Sequence, residues 1–371
     1  VRRTGTATLP LHSGAAPRWL FERMVRLARA VVCALVEEAG PEGVLRRVSD
    51  PFWFQAFGCV LGFDWHSSGL TTTVCGALKQ GLRGLERDLG LAVAGGKGRA
   101  SRRTPEELRA YGEWFGFDAE RLVYASRTSA KVDNHAVQDG YQLYHHAFFV
   151  TRGGAWAVVQ QGMRETDRTA RRYHWLGEAV SDFVCEPHAA VCADRAVPTL
   201  NLVAREGEAA RRAMVALSRE PPDRLGRELR RALTMPARHP LLASDLDPGR
   251  LETVFLRTYE AQARDFEALL ALPGVGAKTL RALALLSELL AGTPPCWRDP
   301  ARFSFAHGGK DGHPYPVDRD TYDRTVAVLE EAVRRARLGH TDRLEALRRL
   351  HRLVSDGSRR RSESPVPVSR E

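Results

Sequence analysis

The sequence predicts an α+β fold: an N-terminal α+β unit with a β-hairpin core, followed by an all-helical region. Three observations predict it. Apolar residues recur at helical spacing through most of the 371 residues. One stretch, 141–163, is instead rich in aromatic and β-branched residues around a Gly-Gly turn. Beyond residue 205 that strand pattern does not return. The expected boundaries are 1–205 for the α+β unit, 206–355 for the helical region and 356–371 for a basic, disordered tail.

Taken in order, 19–39 carries Leu20, Met24, Leu27, Val31 and Leu35 on one face and stops at Gly40-Pro41. Asp50-Pro51 opens a second helix over 52–61, and 71–89 reads as a third through Val74, Leu78, Leu82 and Leu85. A fourth, 105–115, follows Thr104 with Glu107 three residues on, the pattern of a capping box. The strands 141–151 and 156–163 flank Gly153-Gly154, and short strands are expected at 183–184 and 200–203. Helices are then expected at 208–217, 224–233, 250–270, 277–290, 322–337 and 341–353, with prolines between several of them.

A hydrophobic share of 43% suffices for a packed core, and no apolar run reaches the length of a membrane span. The basic start runs into Thr-Gly-Thr-Ala-Thr, so no signal peptide is expected, and six scattered cysteines suit reduced thiols in the cytoplasm. The net charge of +10 favours a polyanionic partner such as nucleic acid. Only five of the 55 basic residues are lysines: Lys79, Lys97, Lys131, Lys278 and Lys310. Each has a glycine or alanine close by, and each is a candidate for a role that needs a compact, titratable ammonium.

The sharpest local pattern is 266–280, where Leu272-Pro273-Gly274-Val275-Gly276 separates two apolar helices. Glycines allow the turn, and the open amides of the second helix form an anion site beside Lys278. The segment resembles the helix-hairpin-helix (here 266–290) of DNA repair enzymes, polymerases and Holliday-junction proteins. That resemblance implies contact with a DNA backbone through Gly274, Gly276, Ala277, Lys278 and Thr279, and Lys97 in Gly95-Gly96-Lys97-Gly98 is expected to add a phosphate contact. In bifunctional helix-hairpin-helix glycosylases a lysine in this position serves as an amine nucleophile, assisted by an aspartate on a later Val-Asp turn. Lys278 and Asp318 are the matching pair here, although their separation exceeds that family's spacing and a Gly-rich insert intervenes.

The first 205 residues hold seven of the twelve histidines, in dense polar blocks. His66, Lys79, Lys131, Asp133, Asp139, His145 and His174 are the candidate catalytic residues, a set suited to moving protons and stabilising charge on a phosphodiester. Strand alternation puts His145 and His146 on opposite faces. The sequence names no cofactor; a metal-assisted route with Mg2+ or Mn2+ would use Asp64, Asp133 or Asp139 with a histidine. Cys185, His188 and Cys192 are one ligand short of a structural zinc site, and Gly95–Gly98 lacks the spacing of a Walker loop.

Seven blocks, among them Phe63-Asp64-Trp65-His66-Ser67-Ser68-Gly69, Gln138-Asp139-Gly140-Tyr141, Arg171-Arg172-Tyr173-His174-Trp175 and Gly308-Gly309-Lys310-Asp311-Gly312, resemble one uncharacterised family of bacterial and archaeal proteins. The resemblance runs from about Thr4 to Leu350 and implies no activity and no site residues. The leading expectation is a DNA repair or processing enzyme that cleaves phosphodiesters, a nuclease. A glycosylase-lyase comes second and a non-enzymatic DNA-binding adaptor third, and RNA stays open as the partner.

Overall fold

Burial on both faces, not alternation, organises the central sheet. The computed structural model describes residues 18–62, 69–166, 169–193, 196–234, 245–302, 319–336 and 338–359. Helices α1 (Arg18–Ser49), α2 (Pro51–Leu61), α3 (Leu70–Leu82) and α4 (Glu86–Leu89) lead into β1 (Leu91–Lys97). Helices α5 (Thr104–Phe115) and α6 (Ala119–Lys131) precede strands β2 (Val137–Gln138), β3 (Gln142–Thr151), β4 (Trp156–Arg164), β5 (Thr169–Leu176), β6 (Ala190–Ala193) and β7 (Leu200–Asn201). The remainder is helical: α7 (Glu208–Ser218), α8 (Pro222–Thr234), α9 (Pro248–Ala261), α10 (Phe266–Ala271), α11 (Ala277–Ala291), α12 (Arg319–Arg335) and α13 (His340–Arg359). The α+β class is therefore as the sequence predicts.

The strands run β1-β3-β4-β5-β6, antiparallel throughout, and β2 pairs with β7 apart from them. On one face Leu91, Val93, Ala147, Phe149, Ala157 and Val159 pack into a core with α1, α2 and α3, which Leu329, Ala332, Val333, Ala346 and Leu350 of α12 and α13 complete. On the other, Ala92, Ala94, Phe148, Val150, Val158 and Trp175 meet α5, α6 and the helices α7–α11. A strand buried on both faces reads as a continuous apolar run, which is why Leu91–Ala94 carries no alternating signature.

Several local expectations change. The helix expected over 71–89 breaks at Arg83–Leu85, where Gly84 takes φ +82°. That expected over 250–270 breaks after Ala261: Gln262 caps α9 in the left-handed region, and Asp265 caps α10 by accepting from the Ala268 amide at 2.7 Å. Glu107 forms no capping box, because its carboxylate binds the Gly95 amide (2.7 Å) and Lys79 instead. Residues 183–184 form a turn, not a strand. In the expected tail, α13 runs on to Arg359, and 360–371 lie outside the described residues.

Candidate functional site

One end of the sheet changes character. A bulge at Tyr144 shifts the register between Leu143 and His145, and beyond it polar side chains occupy row after row. Lys97, His145, Gln161, Arg172 and Cys192 are successive cross-strand partners on the α1–α3 face. The neighbouring row, Gly96, His146, Gln160, Tyr173 and Val191, faces α6. His145 and His146 thus lie on opposite faces, as alternation requires.

The α6 face holds a hydrogen-bonded chain. The Asp133 carboxylate accepts from His188 Nε2 (2.5 Å), Gln160 Nε2 (2.5 Å) and Trp175 Nε1 (3.0 Å). Because the Gln160 amide nitrogen donates to Asp133, its oxygen faces His146 Nδ1 at 2.9 Å and must accept from it. The His146 proton therefore sits on Nδ1, leaving Nε2 to accept from Ser126 Oγ at 2.8 Å. Hydroxyl, imidazole, amide and carboxylate form one line, and all four side chains are buried. Burial pushes the Asp133 carboxyl up from its ordinary range, with His188 and Trp175 pulling it back, while desolvation lowers His146 to about 4.

Beside this chain, Asp139 accepts from Arg171 Nη1 (3.0 Å), Tyr173 Oη (2.7 Å) and the Tyr141 amide (3.0 Å). Arg171 also makes a two-pronged pair with Asp299 at 2.9 and 2.7 Å, and it stacks on Tyr141. Asp299, contributed by the segment after α11, ties the helical half to β5.

On the α1–α3 face Arg172 donates to His174 Nε2 (2.7 Å), Gln55 Oε1 (3.0 Å) and the Pro51 carbonyl (3.3 Å), and His174 Nδ1 lies 2.9 Å from the Val48 carbonyl. A ring beside a buried guanidinium stays neutral: burial and then Arg172 push His174 well below its ordinary value. His145 differs from all of these. It is 1% exposed, yet among the described residues neither ring nitrogen has a hydrogen-bond partner, an arrangement that costs roughly 1–3 kcal/mol in a folded protein. Desolvation, His146 and Lys97 lower it to about 3. At neutral pH it is a ring with one donor and one acceptor, not a proton reservoir.

The lysines resolve into distinct roles. Lys79 pairs with both Glu107 oxygens (2.8 and 2.7 Å) and donates to the Gly95 carbonyl (2.9 Å), fixing the end of β1. Lys131 donates to the carbonyls of Leu270, Ala271 and Leu272 at 2.7, 3.0 and 3.0 Å, capping α10 where it enters the turn. Lys278 is exposed, donates to the Asp245 carbonyl at 3.1 Å and lies 3.5 Å from its carboxylate, which Arg281 shares at 3.2 Å. Lys97 stands exposed with its ammonium 5.9 Å from the Tyr144 ring centre. His66, Asp64, Lys310 and Asp318 lie outside the described residues, so the Lys278–Asp318 pairing has no distance.

The turn between α10 and α11 opens on a cleft of about 320 Å³. Gly274, Gly276, Ala277, Lys278 and Thr279 line one side; Asn134, His135 and Gln142 face them. Gly274 adopts φ +86°, a conformation that favours glycine, while Val275 is buried and anchors the turn. Among the described residues no side chain caps α11, so its first amides have no intrahelical partner at the cleft. The Arg257 guanidinium hangs beside Gly274 and pairs with no described carboxylate. Gln138 Nε2 holds the Ala277 carbonyl at 2.9 Å, so the N-terminal half grips both sides of the turn.

The structure brings Asp133 together with His146, Gln160, Ser126 and His188, four residues outside the candidate catalytic set. Their sequence trace is the Gln160-Gln161 doublet on the strand that pairs with His145-His146. Among the described residues no group of three or more His, Cys, Asp or Glu is placed to hold a metal ion. None of the six cysteines forms a disulfide; Cys192 is fully buried beside Arg172, and His188 is bonded to Asp133. No helix among the described residues is long and apolar enough to cross a membrane.

An antiparallel sheet between two helical layers, with a polar end and a glycine turn held by Lys131 and Gln138, makes this an α+β protein. The chain belongs to the family described as Protein of unknown function (DUF763), whose model matches residues 5–317. No curated protein and no solved structure matches it.

Proposed function

We propose that this protein binds the sugar-phosphate backbone of DNA at the turn between α10 and α11. The observation that carries the reading is the cleft at the start of α11, which Ala277, Lys278 and Thr279 line and beside which Arg257 lies against Gly274. Open amides at a helix start attract a phosphate without reading sequence, and the helix dipole adds to the field. Asp245 beside Lys278 competes for the ammonium, so a phosphate must draw it away. The net charge of +10 supports association with a polyanion at distance.

A short DNA duplex titrated by fluorescence anisotropy at low salt tests this reading. The Arg257→Glu/Lys278→Glu variant should bind at least tenfold more weakly with its circular dichroism unchanged. Wild-type affinity in that variant would sink the proposal.

Phosphodiester cleavage at the polar end of the sheet is a second reading, favoured by the Ser126–His146 pair at 2.8 Å. A hydroxyl donating to an oriented imidazole is the geometry of an activated nucleophile. Cutting of end-labelled DNA that is lost in Ser126→Ala and in His146→Gln, with folding intact, would support it. Binding without cutting would leave an adaptor.

A further inference from the structure

We infer that residues 97–103 form a second phosphate-binding surface, a basic rim at the open end of β1 that contacts the nucleic-acid backbone. The inference rests on the DNA reading above, but it uses different residues and a different element.

The rim begins at a built bend. Gly95 has φ +82°, and a Cβ there would lie 2.3 Å from the His146 carbonyl oxygen and 2.6 Å from Thr104 Oγ1, so only glycine fits. Glu107 accepts from its amide at 2.7 Å, and Lys79 donates to its carbonyl at 2.9 Å. Both charges of that pair are engaged inward, and the carboxylate nearest the bend is unavailable to the cations beyond it.

Beyond the bend a 3-10 turn spans Gly98–Arg103. Lys97, Arg99, Arg102 and Arg103 are all exposed, and none forms a hydrogen bond or ion pair with a described residue. Other exposed arginines, Arg26, Arg83, Arg127, Arg227 and Arg231 among them, also stand without such a partner among the described residues; the rim differs in gathering four such cations within seven residues, whereas elsewhere several are paired. Arg46, Arg109, Arg212, Arg224, Arg230 and Arg298 are each bonded to a glutamate. The exposed Glu106 at the start of α5 makes no hydrogen bond or ion pair with the rim and adds to the field at Arg109. Under Lys97, its cross-strand partner His145 keeps both ring nitrogens unpartnered.

The spacing suits a phosphate backbone. Side chains three apart eclipse on a 3-10 turn, so Arg99 and Arg102 project on one side. A rise of about 2 Å per residue spreads Arg99 to Arg103 over ~8 Å, the axial length on which one duplex strand places two or three phosphates. Four unpaired cations so arranged give a sequence-independent grip.

The test compares salt dependence of binding to a short DNA duplex for the full chain and three variants. Arg99→Gln/Arg102→Gln/Arg103→Gln should weaken binding at least tenfold at low salt and reduce the slope of log K against log salt by roughly 2 to 3. The corresponding Arg→Lys triple keeps the charges and should keep the slope. The Arg257→Glu/Lys278→Glu variant serves as the comparison. Wild-type affinity and slope in the Gln triple overturn the rim, and if the turn variant alone is impaired the turn reading survives. Loss in the Gln triple with an intact turn variant supports the rim and overturns the turn. An unchanged slope despite weaker binding, or equal loss in the Lys triple, overturns the rim as a charge site. Binding of anionic lipid vesicles but not DNA by the wild type overturns both.

Discussion

The polar end of the sheet and the turn between α10 and α11 both collect charged residues, but they treat charge in opposite ways. At the sheet end Arg171 is fully buried between Asp139 and Asp299, and Asp133 is fully buried among three donors. At the turn Lys278 and Arg257 reach solvent, and the amides of α11 have no capping side chain. Buried charges that satisfy one another hold a structure together, whereas exposed donors such as Arg257, or Lys278 with only the partly exposed Asp245 beside it, can turn to a partner. Density of His, Asp and Lys in sequence does not separate these cases; burial and partners do.

The sharpest way to break the contrast is Arg171→Leu. It leaves Asp139 and Asp299 facing each other without a cation, and removing one member of a buried pair typically destabilises by about 3–5 kcal/mol. Urea denaturation should show a loss of that order, and molecules that remain folded should bind DNA as before. Unchanged stability would mean that the sheet end is not a structural clamp.

Acid sharpens it further. Below about pH 6.5 the unfolded chain protonates His145, while the folded ring, lowered to about 3, stays neutral. Its contribution to stability is whole above pH 6.5 and drains away as pH falls towards 4, on the order of 3 kcal/mol over that interval. Asp133 and Asp139, raised by burial, act in the opposite sense, so the signal is the difference between wild type and His145→Gln. The urea midpoint of the variant should fall less steeply with acid; parallel profiles would show that the folded ring titrates normally.

A smaller effect joins the two regions. Lys131→Met removes three hydrogen bonds to the last carbonyls before the turn. It should lower stability by about 1–2 kcal/mol and speed amide exchange in α10 more than in β3–β4. Uniform exchange across both would argue that the lysine does not anchor the turn.

The β3–β4 hairpin was legible because Gly153-Gly154 punctuates two aromatic, β-branched runs, and the long helices because their apolar spacing is regular. β1 was not, since both its faces are buried and Gly95-Gly96 mimics a loop. β5 was hidden by Arg171-Arg172, because buried arginines reverse the rule that charge marks the surface. Helix α6 was missed for a related reason: Ser126, Thr128 and Ser129 lie on its buried side. Of the candidate residues, Asp133 and Asp139 lie on the α6 face of the sheet and His145 and His174 on the α1–α3 face, so the sheet separates them, while His188 and Ser126 join Asp133 only through tertiary contacts. Of the five lysines, Lys79 donates to one backbone carbonyl and the Glu107 carboxylate, and Lys131 to three backbone carbonyls.

The α1–α3 layer is finished by Leu329, Ala332, Val333, Ala346 and Leu350, three hundred or so positions after the residues they cover. On a ribosome adding about 5–20 residues per second, the first helices emerge and wait roughly 15–60 s for their last neighbours. Through that interval Val31, Leu35 and Phe57 have an unfinished roof, so nascent chains of this protein are expected to be clients of chaperones that shield apolar helices during synthesis.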